Sequence, residues 1–222
     1  MPDQKLHEEK TKIITVVTTD IRNFTYHSRP YEGEEKEEFL QRFAVLCDIV
    51  RDFHNLTNDC ARRYDTKKEA IVLTTGDGLI IGFQDLKHAA TAFKTIRDLQ
   101  HEYVSFFKKS NKQIAEKRQS TALGYGIGIH TGHVMIRHYD SYHIPGKVDT
   151  IILGDALNIS TRLEKLTKEH SGCGVMISQD AYQAICQQLG KESIQDCFDY
   201  QIHQITGYYP LRVYGLPMPP CI

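Results

Sequence analysis

Hydrophobic positions along the chain recur with two periods, and the switches between them mark out the elements. Residues 11–19, TKIITVVTT, are rich in β-branched side chains and run into Asp20, which predicts a strand carrying an acid at its C-terminal tip. Phe39, Phe43, Leu46, Cys47, Val50 and Phe53 then recur every three or four positions behind an acidic lead, the pattern of an amphipathic helix. Residues 69–83, EAIVLTTGDGLIIGF, read as two apolar strands around a tight Asp-Gly turn. Leu86, Ala89, Ala90, Phe93, Ile96 and Leu99 predict a second helix reaching about residue 108, and residues 108–120 read as a polar, basic connection. Residues 121–138 predict strand, turn and strand, with the turn at HTGH and Gly124, Gly126 and Gly128 along one face. After a loop to about residue 150, a short strand passes into a third helix with Asp155 near its start. VMIS (175–178) is a strand, residues 179–190 a helix closed by Gly190, and the tail gives two more strands before a proline-rich end.

Strands and helices alternating around inserted hairpins predict an α+β domain, with helices covering a largely antiparallel sheet. No repeat or linker divides residues 1–222, so a single domain is expected, and 222 residues with 41% hydrophobic content suffice for a large core. A net charge of −1 leaves no electrostatic footprint for nucleic acid or an anionic membrane. The polar start and the lack of an 18-residue apolar run predict a soluble, cytoplasmic protein. Six scattered cysteines without a C-x-x-C pair read as buried thiols. His130 and His133 in HTGH, with His138 and His143 beyond, are spaced for a turn between strands and not for a helix carrying zinc ligands.

Two acids stand apart from the surface charge: Asp20 at the strand tip and Asp77 in the hairpin. Were their strands neighbours, the carboxylates would converge, and two convergent hard-oxygen ligands suit Mg²⁺ or Mn²⁺ with phosphate oxygens completing the shell. The following IRNFT turns toward a helix, where unpaired amides can hold phosphate. Taken singly, Asp20 reads equally as a helix cap and Asp77 as a turn residue. Asn158 and Arg162, four apart, share a helix face and could clamp sugar and phosphate oxygens, although RLEKLTKEH also fits a salt-bridged surface.

In order along the chain, TTDIRNFT, GDGLIIGF, GIGIHTGHV and ILGDALNISTRLEKL resemble the class III nucleotidyl cyclase catalytic domain, and VMIS and ITGYYPLRVYGL resemble its last strands. The resemblance spans about residues 12–216 and implies a ferredoxin-like, palm-type sheet. By motif it implies that Asp20, Asp77 and the Ile21 carbonyl bind two Mn²⁺ or Mg²⁺ ions per site. It implies that the amides of Arg22, Asn23, Phe24 and Thr25 hold the β- and γ-phosphates. Asn158 would orient the ribose and Arg162 stabilise charge on the α-phosphate. Sites in this family are shared, aspartates from one subunit and the asparagine–arginine helix from the other, which implies a homodimer with two sites acting on a nucleoside triphosphate.

Three positions depart from the family pattern. The polar base readers of purine cyclases are matched by Leu73 and Ile151, with Thr150 adjacent and a one-residue slip open, and a phosphate-touching lysine is matched by Thr206. Intact catalytic positions beside two aliphatic base positions point to a changed base, because selectivity rests on paired polar groups. The chain is thus most similar to bacterial stand-alone pyrimidine cyclases of anti-phage signalling, which implies cyclic UMP ahead of cyclic CMP as product and a downstream effector. Tyr64, with Arg62 and Arg63, could replace the lost base contacts or simply lie at the surface. An adenylate or guanylate cyclase and a nucleotide-binding sensor without turnover remain alternatives. A diguanylate cyclase ranks last, since TTGDGLI lacks that family's Gly-Gly-acid signature.

Overall fold

A computed structural model describes residues 6–114, 121–140, 148–170, 173–203, 208 and 210–218. The chain begins with strand β1 (Leu6–Arg22), a one-turn helix α1 (Phe24–His27) and the long helix α2 (Lys36–Tyr64). A hairpin of β2 (Ile71–Thr74) and β3 (Gly78–Phe83) leads to helix α3 (His88–Ile114). Strands β4 (Gly124–Asp140) and β5 (Val148–Leu153) precede helix α4 (Asp155–Leu166). Strand β6 (Cys173–Ser178), helix α5 (Gln179–Leu189) and strands β7 (Phe198–His203) and β8 (Leu211–Pro217) follow.

Among the described residues the strands form one sheet, ordered β2-β3-β1-β4-β6-β8-β7, with β5 paired to the far half of β4. Every pairing is antiparallel except β4 with β6. Strand alternation sends Val17, Ile21, Leu79, Ile81, Ile127, Ile129, Val175 and Ile177 to one face, under α2, α3 and α5. The opposite parity sends Ile14, Val16, Ile80, Val134, Ile136 and Ile152 to the face that α4 covers through Ala156. The expected α+β architecture is the one observed.

Three expectations are corrected. HTGH is not a turn: β4 runs unbroken through it, paired to β1 at Thr15–Thr131, Ile14–Gly132 and Ile13–His133, and Gly132 has no positive φ. A seventeen-residue partner strand outweighs the local turn signal of one glycine. Leu86 is 92% exposed and precedes α3, which instead continues past residue 108 to Ile114. Cys60 and Cys173 are buried as read, but Cys47 is exposed; all five described cysteines are free.

Candidate functional site

The register of the central strands assembles one half of the site. Asp20, two residues from the end of β1, sits opposite Gly78 on β3 and Gly126 on β4. A Cβ at Gly78 would come within 2.7 Å of Thr19 O and 2.9 Å of Asp20 Oδ1, so glycine there leaves room for the carboxylate. The preceding turn places Gly76 at φ 81° and is closed by Thr75 N–H donating to Gly78 O at 2.9 Å. Asp77 is thereby held beside Asp20. Burial pushes the Asp20 carboxyl above its ordinary range, and the negative charge of Asp77 pushes it further. Lys168 and Lys165 act the other way, and Lys168 Nζ lies 3.8 Å from Asp20 Oδ2.

After Arg22 the chain reverses through Asn23 at φ 64°, a left-handed conformation that asparagine tolerates. Asn23 Nδ2 donates to Ala122 O at 2.7 Å. The first bonds of α1 are donated by Tyr26 and His27 to Asn23 O, which leaves the Phe24 and Thr25 amides without intrahelical partners. His27 pins this turn, bonded to Tyr31 Oη at 2.7 Å and Thr121 O at 2.6 Å. Together these residues line a cleft of about 490 Å³: Asp20, Ile21, Arg22, Asn23, Phe24, Thr25, Tyr26, Asp77 and Lys168.

Two adjacent carboxylates with a nearby main-chain carbonyl are a hard-oxygen donor set that fits a divalent cation such as Mg²⁺ or Mn²⁺. The mutual repulsion of Asp20 and Asp77 is what such a cation would relieve. Among the described residues no group of three or more His, Cys, Asp or Glu side chains converges, so a metal here would draw further ligands from main chain, water or substrate.

The other candidate residues ride on α4. Gly154, at φ 144°, joins β5 to α4 where a Cβ would lie 2.4 Å from His133 O. Ala156, Ile159, Ser160, Leu163 and Glu164 face inward, and Ser160 Oγ is 2.8 Å from Thr18 Oγ1. Asn158 is exposed and Arg162 half-buried. The Arg162 guanidinium lies 5.2 Å from the Tyr208 ring centroid, and its Nη1 has no hydrogen-bond partner. Neither Asn158 nor Arg162 lines the Asp20–Asp77 cleft, so one chain does not bring the four together.

No family model matches the chain. It is 24% identical over 169 residues to an adenylate cyclase of Anabaena cylindrica, covering 76% of this chain but only 30% of that protein's length. The adenylyl cyclase CyaB of P. aeruginosa superposes with a TM-score of 0.69 at 23% identity, over 94% of this chain and 95% of the other. The fold is that of the class III nucleotide cyclase catalytic domains. The guanylyl cyclase Cya2 gives a TM-score of 0.62 at 19% identity, over 97% of this chain and all of that one.

Within this cyclase fold the three expected base-pocket residues do not meet. Leu73 packs with the α4-side cluster beside Ile80, Ile152 and Leu157. Ile151 points to the opposite face, because β5 alternates and Ile152 is the residue in that cluster. Thr150 shares the face of Ile152 and is 2.9 Å from His138 Nδ1 across the β4–β5 pair. Tyr64 ends α2 and donates to Asp98 Oδ2 on α3 at 3.1 Å, outside the cleft. Thr206 and His143 lie outside the described residues.

Sequence reasoning missed two residues that act on Asp20: Lys168, which lines the cleft, and Glu164, which is buried. Lys168 was absorbed into the charged run RLEKLTKEH. Glu164 was too, although it follows Ala156 and Ser160 at helical spacing and so shares their inward face. Glu164 is 2% exposed, its Oε1 has no hydrogen-bond partner, and burial together with the Asp20 charge pushes its carboxyl up to about 7.

Proposed function

We propose that this chain is a nucleotide cyclase, converting a nucleoside triphosphate to its 3′,5′-cyclic monophosphate and pyrophosphate. The observation that carries the reading is the pairing of Asp20 and Asp77 at a cleft rimmed by the turn 21–26, in a fold shared with adenylyl and guanylyl cyclases. Asp20, Asp77 and the Ile21 carbonyl would hold two Mg²⁺ or Mn²⁺ ions, which when bound would supply charge neutralisation for the triphosphate and acidification of the attacking hydroxyl. The amides of residues 22–25 receive the β- and γ-phosphates. Asn158 orients the ribose so that its 3′-oxygen attacks the α-phosphorus as the bond to pyrophosphate breaks. Arg162 offsets the charge growing on the phosphoryl oxygens. Because Asn158 and Arg162 stand outside the cleft of their own chain, they serve the aspartates of a second copy in a two-site homodimer.

The substrate base in this reading is a pyrimidine, UTP ahead of CTP, and the product is a messenger for an effector in antiviral defence. Leu73 supports it, an aliphatic side chain where purine cyclases carry a polar base reader. A purine triphosphate is the second reading, supported by Thr150, whose hydroxyl lies on the face of β5 that Ile152 shares with the Leu73 cluster, opposite to Ile151.

Incubation with Mn²⁺ and each of ATP, GTP, CTP and UTP, with products identified by mass spectrometry and Asp77→Ala as blank, decides both points. A cyclic pyrimidine product supports the first reading and cyclic AMP or GMP the second. Nucleotide binding without pyrophosphate release refutes the enzyme. Mixing Asp77→Ala with Arg162→Ala should restore activity, and failure despite proven subunit exchange refutes the shared site.

A further inference from the structure

The cleft is lined by two acids, Asp20 and Asp77, and two bases, Arg22 and Lys168. The bases differ in how far they are already engaged. Arg22 donates through Nη2 to Cys173 O at 3.2 Å and is half-buried, with the Glu164 charge acting on it. Lys168 is held at its backbone and loose at its tip. Its amide donates to Lys165 O at 3.0 Å, the preceding Thr167 amide to Glu164 O at 3.1 Å, and the Thr167 hydroxyl bonds the same carbonyl. Its side chain is 48% exposed, and its Nζ stands 3.8 Å from Asp20 Oδ2. That separation exceeds a hydrogen bond of roughly 2.7–3.2 Å, so this contact orients the ammonium and leaves its protons available. A flexible point charge at the mouth of a phosphate-sized cleft is suited to phosphate oxygens.

We infer that Lys168 binds the triphosphate held by the aspartates of its own chain. The inference rests on the cyclase reading and adds to it a division of labour within α4. The exposed side of the helix, Asn158 and Arg162, serves the partner's aspartates, while the turn after its C-terminal end serves the home site. The helix and the turn that follows it then touch two substrates, and their seating on the sheet sets both sites at once.

Subunit mixing separates the two possible addresses of Lys168. Lys168→Ala should lower kcat/KM about 10- to 100-fold, the equivalent of one charge-assisted hydrogen bond, with Lys168→Arg retaining most of it. Paired with Arg162→Ala, the Lys168→Ala chain should recover activity, because one site of the mixed dimer then has intact aspartates, lysine and arginine. With equal mixing that is about a quarter of the wild-type rate, given two equivalent sites per dimer. Paired with Asp77→Ala it should recover nothing beyond its residual rate. The opposite pattern, rescue by Asp77→Ala alone, would place Lys168 in the partner's site and overturn the inference.

A binding readout stands apart from turnover. Calorimetric titration with a 3′-deoxynucleoside triphosphate, which cannot cyclise, should show about tenfold weaker affinity for Lys168→Ala at an unchanged melting temperature. Unchanged affinity overturns the inference. If Asp77→Ala with Arg162→Ala fails to recover while the lysine still alters affinity, the shared-site reading fails and the phosphate role of Lys168 stands.

Discussion

Helix α4 rests on the glycines of β4, and replacing Gly128 by alanine should dislodge it. A Cβ at Gly128 would lie 1.9 Å from Ser160 O, 2.4 Å from Glu164 N and 3.0 Å from Leu163 C, all main-chain atoms that cannot rotate aside. Ordinary contact begins near 3.4 Å, so α4 must retreat by 3.4 − 1.9 = 1.5 Å or β4 must bend. Overpacking of this kind costs about 3 kcal/mol at the upper end of its range. For a chain of this length that is a fall in melting temperature of roughly 6–12 °C. The same shift carries Asn158, Arg162 and Lys168 with it, and misplacement by about 1 Å can cost roughly 10²-fold in rate. The neighbouring glycines grade the effect. At Gly126 the obstacles are side-chain tips, Glu164 Oε1 and Thr167 Oγ1 at 2.4 and 2.6 Å, so alanine there should cost less. At Gly124 the nearest atom is Arg22 Cβ at 3.9 Å, and alanine should be neutral within about 0.5 kcal/mol. Calorimetric melting and cyclic-nucleotide formation measured on the three variants test the order 124, 126, 128. A Gly128→Ala protein that melts and reacts like wild type would refute the argument. So would equal damage at Gly124, which would trace the requirement to backbone freedom and not to the seat of α4.

The buried carboxyl of Glu164 makes stability depend on pH. Its native value of about 7 lies above the ordinary 4.5, so the folded state binds the proton more readily, and stability present below pH 4.5 is lost as pH rises to about 7. The loss amounts to at most about 3 kcal/mol; urea midpoints of wild type should therefore fall between pH 5 and 8 relative to Glu164→Gln, and parallel curves would contradict this. For base selection, Thr150→Val should change the ratio of kcat/KM between amino- and keto-edged bases about tenfold or more, whereas Ile151→Val should leave it unaltered. Equal effects would mean that β5 presents the other face to substrate. In the core, Tyr103 is fully buried with its hydroxyl 2.6 Å from Thr57 Oγ1. Tyr103→Phe should cost about 1–3 kcal/mol in denaturant unfolding with no change in base preference.

Local pattern by itself determined much of this protein. Period-two runs around Val16 and Ile80, period-3.6 runs through Phe53 and Ile96, and the Asp-Gly signal at residues 77–78 each encode their element through neighbours a few positions away. The same local information put Asp20 at a strand tip, Asp77 in a turn, and Asn158 with Arg162 on one helix side. What sequence could not supply was anything fixed by partners distant along the chain. HTGH looked like a turn because the pairing of His130–His133 with Ile13–Val16 lies more than a hundred residues away. Ile151 and Thr150 could not be ranked until the register of β5 against β4 assigned them to opposite faces, since a one-residue slip exchanges every side chain between core and solvent. Lys168 and Glu164 looked like surface charge because only the packing of α4 on Gly126 and Gly128 carries them to Asp20. Composition and periodicity located most strand and helix segments, though not the unbroken β4 at HTGH or the end of α3, because those choices depend largely on short-range sterics and burial. The tertiary structure alone decided which charges meet, because a charge's environment is set by whatever the fold brings against it.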